Sequence, residues 1–364
     1  MTRSDDDLGG ALCRLLNGGV ALVALGPFGP ALLVAGARAA AAADDGEVLR
    51  GWPGGGFRAE LEGDRLLSLA PCGSDPSSQG PSSGVLDAVY SPARIKYPMV
   101  RRAFLDHGAA AERDSRGNGD FVRVSWDRAL DLVAREIRRV ADSHGPAATF
   151  AGGAGVARPG RLHDGPRLLR RLISLTGGVA AASGEADRPF EVDRGTADRI
   201  KLAYWAGGTP LVRRRDRSPM RQAWRSLETL IVQDVHWTPA ARRADIVLPA
   251  TTACERNDIE RVGGAVLAMK KVIEPVFDSR SDYAIVAALA ERLGKGRDFG
   301  DGNSELDGIR ACYEALLPAA ATGGPVPDFD SFWNGAGVIQ LGWSGDAGSF
   351  AATPDAGVTP RGAG

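Results

Sequence analysis

From residue 125 onward the apolar positions fall three and four apart, then switch to short unbroken runs, and the alternation repeats. Leu130, Val133, Ala134, Ile137, Val140 and Ala141 share one helical face; Ser125 is a good N-cap and Gly145-Pro146 a stop. Ala147–Gly152 is a short apolar run, predicting a strand. A second helix is predicted with Asp164 as cap, Pro166 near its first position, an apolar face of Leu168, Leu169, Leu172 and Leu175, and Gly177-Gly178 at its end. Val179–Arg199 loses all periodicity and reads as a junction. Order returns in three runs, Ile200–Gly208, Thr229–Asp234 and Ala244–Leu248, separated by helical spacing at Pro219–Leu227 and a short helical turn at Pro239–Arg243. "AVLAMKKV" predicts a further strand, Ser281 caps a helix running to Leu293 before Gly294, and Ser304–Leu317 predicts another helix. Upstream, Phe57–Pro71 reads as a hairpin about Glu62-Gly63-Asp64, Cys72–Gly84 as a Ser/Pro/Gly loop, and Phe121–Val124 as a short strand. Strands alternating with helices imply parallel pairing. The expected fold class is therefore α/β, a layered, mostly parallel sheet with flanking helices, plus a small N-terminal β hairpin region. The expected division is a signal-like segment (1–43), an N-terminal α/β region (44–178), the junction (179–199), a second α/β region (200–340) and a disordered tail (341–364).

Composition narrows this little. The chain has 364 residues, 44% hydrophobic and 24% charged, as in ordinary globular proteins. A net charge of −1 supplies no general attraction for nucleic acid, and the basic run Arg213–Arg217 carries no interleaved aromatics. Cys13, Cys72, Cys254 and Cys312 lie outside metal-ligand spacing, as do His107, His144, His163 and His236. The N-terminus changes the picture more. Leu15–Ala37 is uncharged, lies between Arg14 and Arg38, and is followed by the small residues Ala37-Arg38-Ala39 that a signal peptidase reads. Its five glycines and two prolines weaken a stable spanning helix. The expectation is export to the periplasm, with a cytoplasmic location as the alternative and no stable membrane span.

The chemistry gathers at strand ends. In an open α/β sheet, ligands sit beyond the carboxyl ends of the strands. Here those ends carry Gly207-Gly208-Thr209-Pro210, Gln233-Asp234, and Thr251-Thr252 followed by Glu255-Arg256-Asn257-Asp258. Asp and Gln can grip a ribose or base edge, glycines admit a phosphate, and Arg can pair with one by two bonds. Caps and turns use the same residue types, so a structural reading stands beside the nucleotide one. The glycine turn "GGAGVARPG" is a second phosphate candidate, although Arg161 follows Gly160 and no Walker-type spacing is present.

Longer stretches carry a family resemblance. "SPARIKYPMVRRAFL", "RGNGDFVRVSWDRALDLVAREI", "YWAGGTP", "LETLIVQDVHWT", "ADIVLPATTACERNDIE", "AMKKVIEP" and "SRSDYAIVAALAERLG" resemble the molybdopterin oxidoreductases, within them the dimethyl sulfoxide, trimethylamine N-oxide and biotin sulfoxide reductase branch. "DFDSFWNGAGVIQ" extends the similarity to about Gln340. The resemblance implies a bis(molybdopterin guanine dinucleotide) cofactor with molybdenum, two-electron reduction of a small S-oxide or N-oxide, and a cytochrome as electron donor. It implies no N-terminal iron–sulfur cluster, in keeping with the lone Cys72, and a twin-arginine export signal, whose arginine pair is absent. Gln233, Asp234, Arg256 and Asp282 match cofactor-contacting positions, the first two on the guanosine side; Thr209 stands where the family has Asn, and Arg213 where it has His. Gly155 lies in the active-site loop, where Ala154 and Val156 replace a Tyr and a Trp. "GEADRP" aligns with the family's "GDYSTG", which places Asp187 at the molybdenum-ligand position. The family's large middle section and C-terminal barrel have no counterpart, so the chain reads as internally deleted and C-terminally truncated. An oxide reductase and a non-catalytic remnant that binds the guanine nucleotide or cofactor both remain open.

Overall fold

The computed structural model describes residues 21–26, 29–35, 47–52, 55–71, 82–153, 160–180, 199–208, 218–262, 265–300, 303–316, 326–335 and 337–340. The predicted tail, 341–364, and most of the predicted junction, 181–198, lie outside them.

Within the stretch read as an export signal, β1 (Ala21–Gly26) and β2 (Gly29–Ala35) pair antiparallel. The predicted hairpin is present as β4 (Gly55–Glu62) and β5 (Arg65–Pro71), and β3 (Glu47–Trp52) adds a third antiparallel strand. Helix α1 (Ser82–Tyr90), partly inside the stretch read as loop, packs Val85 and Val89 against Ala59, Leu66 and Leu69.

The chain then builds its main sheet. Its elements are β6 (Met99–Arg101), α2 (Arg102–His107), β7 (Phe121–Arg123), α3 (Trp126–His144), β8 (Thr149–Gly152), α4 (Gly165–Leu175) and β9 (Val179–Ala180), followed by β10 (Leu202–Ala206), α5 (Ser218–Ser226), β11 (Thr229–Asp234) and β12 (Ile246–Pro249). The spatial order is β7-β6-β12-β11-β10-β8-β9, seven strands among the described residues. The run β9-β8-β10-β11-β12 is parallel, and the β12–β6 and β6–β7 pairs are antiparallel. β8, before the junction, pairs directly with β10, after it, in the register Leu202↔Thr149 to Trp205↔Gly152.

Every residue of β8, β10, β11 and β12 is buried, as expected of parallel strands covered on both faces. Side chains alternate between the two covers. Leu202, Tyr204, Ile231 and Leu248 join Leu130, Val133, Ile137, Leu169 and Leu172 on one face, whereas Phe150, Ala203, Trp205, Val232 and Val247 meet Trp224 and Leu227 on the other. The run Ala147–Gly152 begins its ladder two residues late, because Pro146–Ala148 form a 3-10 turn and Pro146 has no amide to donate.

Of the remaining elements, the helices spanning 282–292 and 296–300 complete the main core with Ile285, Val286, Leu289, Ala290 and Phe299, and the others build a second sheet with its own core. β13 (Asp258–Val262), β14 (Ala265–Met269) and, after α6 (Asp282–Arg292), α7 (Gly296–Gly300), α8 (Glu305–Leu316) and α9 (Phe329–Asn334), β15 (Val338–Gln340) make a three-stranded antiparallel sheet in the order β13-β14-β15. Ile259, Val266 and Ile339 share its core with Ile309, Tyr313, Phe329 and Phe332, and with Leu162 from the loop between β8 and α4.

Candidate functional site

The carboxyl ends of β8, β10, β11 and β12 point the same way and bring their following loops together. β10 ends in Gly207 and Gly208, both left-handed at φ 66 and 79, a turn few other residues enter without strain. The Gly207 amide donates to the Gln233 carbonyl at 2.8 Å, and the Ala250 amide to the Asp234 carbonyl at 3.0 Å. These bonds prolong the ladder one step and hold the Gln233-Asp234 end between its neighbours.

Four buried side chains form one hydrogen-bonded chain that converges on Asp282 behind that edge. Tyr204 Oη donates to Gln233 Oε1 (2.7 Å), Gln233 Nε2 donates to Asp282 Oδ1 (2.6 Å), and Arg256 Nη1 donates to Asp282 Oδ2 (2.8 Å). Arg256 Nη1 also reaches the Thr251 carbonyl at 3.2 Å. Burial, and then the charge of Asp282, push the Tyr204 phenol well above its ordinary value, so it stays a proton donor. Asp282 begins α6 behind the cap Ser281, whose hydroxyl accepts the Ala284 amide, and a carboxylate in this first turn faces the positive helix end.

Asp234 sits apart from this chain and is 6% exposed. Its carboxylate accepts the Val235 amide at 2.8 Å and the Thr238 hydroxyl at 3.3 Å. The structure thus gathers Gln233, Asp234, Arg256 and Asp282 at one sheet edge. Gly155, Asp187, Thr209 and Arg213 lie outside the described residues.

Glu255 has a different job. Both its oxygens meet the Arg94 guanidinium, at 2.8 and 2.9 Å, and it also takes the Thr252 amide at 2.6 Å and the Val276 amide at 2.7 Å. It is a buried structural hub. Asp258 and Glu260 turn toward the second phosphate candidate. Asp258 accepts the amides of Arg161, Leu162 and His163, and Glu260 accepts that of Gly160. The last residue of that glycine turn, Gly160, and the three residues after it therefore offer their amides to protein carboxylates, while residues 154–159 of the turn lie outside the described residues. His163 is buried, with Nδ1 accepting the Tyr283 amide and Nε2 lying 2.7 Å from Glu305. Burial would raise the Glu305 carboxyl, but the bond and charge from His163, with Ser281 and Arg256, hold it below its ordinary value. Burial pushes the Cys312 thiol up to about 11, with Asp258 adding to the effect, so Cys312 is a neutral thiol near pH 7.

Tyr204 and His163 were not singled out from sequence as site residues, whereas Thr251 was named among the polar residues after β12. Tyr204 lies inside an apolar strand run, and only its pairing with Gln233 across the parallel ladder gives its hydroxyl a role. Among the described residues, no cluster of three or more His, Cys, Asp or Glu could hold a metal ion, and no helix is long and apolar enough to cross a membrane.

Comparison with known proteins decides the family. The family model described as molybdopterin oxidoreductase matches residues 94–193 and 180–292, together more than half of the chain. The chain belongs to the molybdopterin oxidoreductase family. Membership implies a molybdenum–molybdopterin cofactor. A dimethyl sulfoxide/trimethylamine N-oxide reductase from Cereibacter sphaeroides is 29% identical to this molybdopterin oxidoreductase over 591 alignment positions, covering 88% of this chain and 72% of the relative. An alignment so much longer than the 364-residue chain means that a large part of the relative has no counterpart here. A trimethylamine-N-oxide reductase from Haemophilus influenzae is 42% identical over 139 residues, 37% of this chain and 17% of the relative, and a biotin sulfoxide reductase from Cereibacter sphaeroides is 41% identical over 138 residues, 37% and 18%. In structure, the acetylene hydratase from Pelobacter acetylenicus matches with a TM-score of 0.57 at 10% identity, covering 79% of this chain and 72% of that one, a likeness of fold.

Proposed function

We propose that this molybdopterin oxidoreductase holds its cofactor as a guanine dinucleotide across the carboxyl ends of β8, β10, β11 and β12, and that it descends from reductases of S-oxides or N-oxides. One observation carries the reading. Arg256 Nε and Thr251 Oγ1 are buried at that edge and have no hydrogen-bond partner among the described residues. Orphaned buried donors are costly, and an anionic or carbonyl-bearing ligand beside them would satisfy both. The residues present therefore suit the group. Asp234 supplies a carboxylate for guanine N–H donors, Arg256 and Thr251 supply donors for its oxygens, and Gln233 with Asp282 fixes Arg256 in place. Gly155, Thr209 and Arg213 would add contacts by their family positions, and Asp187 would be the protein's ligand to molybdenum. When bound, the cofactor supplies two-electron redox chemistry to the oxide, with electrons from a cytochrome donor. The same reading makes the protein periplasmic, from the export pattern of Leu15–Ala37, with a cytoplasmic site as the alternative.

A second reading, a cofactor- or guanine-nucleotide-binding module without turnover, is favoured by the large part of the relative missing from the alignment. Catalysis needs an enclosed, preorganised site, and enclosure is what missing segments remove. Metal analysis and nucleotide release from purified protein separate the two. Molybdenum with two guanine nucleotides per metal supports the reductase; guanine nucleotide without metal supports the module. In either case Asp234→Ala is expected to lower bound guanine nucleotide at least about tenfold, the loss of one charge-assisted pair. Unchanged content in a folded variant would refute the site.

A further inference from the structure

The loop entering α4 is held in an unusual way. Three successive amides, those of Arg161, Leu162 and His163, converge on the Asp258 carboxylate at 2.8, 2.8 and 3.2 Å. The Ile259 amide adds a fourth bond at 2.8 Å, and Asp258 is 1% exposed. Consecutive amides pointing into one concavity make an anion-binding nest. Gly160 opens the nest in the left-handed region, at φ +105, and a Cβ there would collide with the carboxylate. Its amide goes to Glu260 Oε2 at 2.6 Å, so two acids of β13 grip four consecutive loop residues. At the far end, the His163 ring ties the loop to Tyr283 at the start of α6 and to Glu305 at the start of α8.

We propose that Asp258 is the positioning residue of this loop: it serves as a tethered anion in a backbone nest that would otherwise take a free one, and so fixes the path of the chain entering α4, where Gly165 lies against Asp282 of the candidate cofactor site. The proposal rests on the functional reading only in its last clause, and the test keeps the two apart. The Arg161 amide is shared with the Ile259 carbonyl at 2.9 Å, but among the described residues no other side-chain carboxylate bonds the nest amides, so removing this one leaves the Leu162 and His163 donors unsatisfied around a space of carboxylate size.

The test is anion rescue. Asp258→Ala should lower the thermal midpoint and speed amide exchange at residues 161–163 at least about tenfold, with exchange in β10–β12 unchanged. Formate, titrated to saturation, should restore most of both losses in Asp258→Ala and leave the native protein unmoved. Asp258→Leu, which fills the space with carbon, should not respond. A folded Asp258→Ala that formate does not stabilise would overturn the proposal. If that variant does not fold, Asp258→Asn decides: its amide Nδ2 faces donor amides, so exchange at 161–163 should quicken, and native rates there would sink the idea. Guanine-nucleotide content, measured on the same samples, reports on the functional reading separately, because rescue by formate requires no cofactor.

Discussion

The Gln233 amide can sit among its neighbours only one way round. Tyr204, which keeps its proton, must face the amide oxygen, and Asp282, an acceptor, must face the nitrogen. Reversal would set the amide oxygen against a carboxylate and leave the phenol without an acceptor. Such a chain contributes modestly when complete, yet leaving one member unsatisfied costs about 1–3 kcal/mol, so its main effect is to hold Arg256 in a single position. Gly160 is closed to substitution both by its backbone and by its neighbour. Gly160→Ala combines a left-handed alanine with displacement of Asp258 and should destabilise by roughly 2–4 kcal/mol in a urea titration. Gln233, Asp234, Arg256 and Asp282 could be nominated from their types and their places after strand runs. Their partners could not, since Tyr204 looks like any aromatic in a buried strand.

Elements were legible wherever periodicity and caps agreed. Ser125, Asp164 and Ser281 each accept the amide three residues on, as their positions suggested. β13 was hidden because its first residue, Asp258, read as the end of the ligand cluster Glu255-Arg256-Asn257-Asp258; Asp258 and Glu260 instead reach across to the 160–163 loop while Ile259 packs inward. β6 and β9, of three and two residues, are too short to show a pattern and exist because neighbouring strands supply their hydrogen bonds. At helix scale, the His163–Glu305 contact joins the β8–α4 loop to α8 and makes a pH prediction. The folded Glu305 carboxyl lies below its ordinary 4.5, so its contribution is present above 4.5 and lost as pH falls through the lower folded value. Glu305→Gln should therefore unfold at lower temperature than the native protein at pH 7, with the difference closing under acid; a constant difference would exclude the Glu305 carboxylate as its source.

For the whole molecule, the sheet is the integrating structure. β8 precedes the predicted junction and β10 follows it, yet they are direct neighbours, so the two stretches share one covered core. Arg94 binds the approach to β6 to Glu255, 161 positions away, and Arg101 with Arg116 does the same for Asp245 at the β12 end. Breaking a fully buried pair leaves a charge uncompensated; Arg94→Ala should cost roughly 3–5 kcal/mol and reduce the unfolding midpoint accordingly, while a surface pair such as Arg102–Asp120 should cost under about 1 kcal/mol. The sequence by itself determined the α/β class, the main helices and strands with their caps, and the motif order that carries the family, because these depend on near-neighbour spacing and backbone preference. Only the tertiary structure decided which acids face the site and which hold it together. A carboxylate is the same group in either role, and its role follows from the amides and guanidinium groups that distant parts of the chain bring within 3 Å of it.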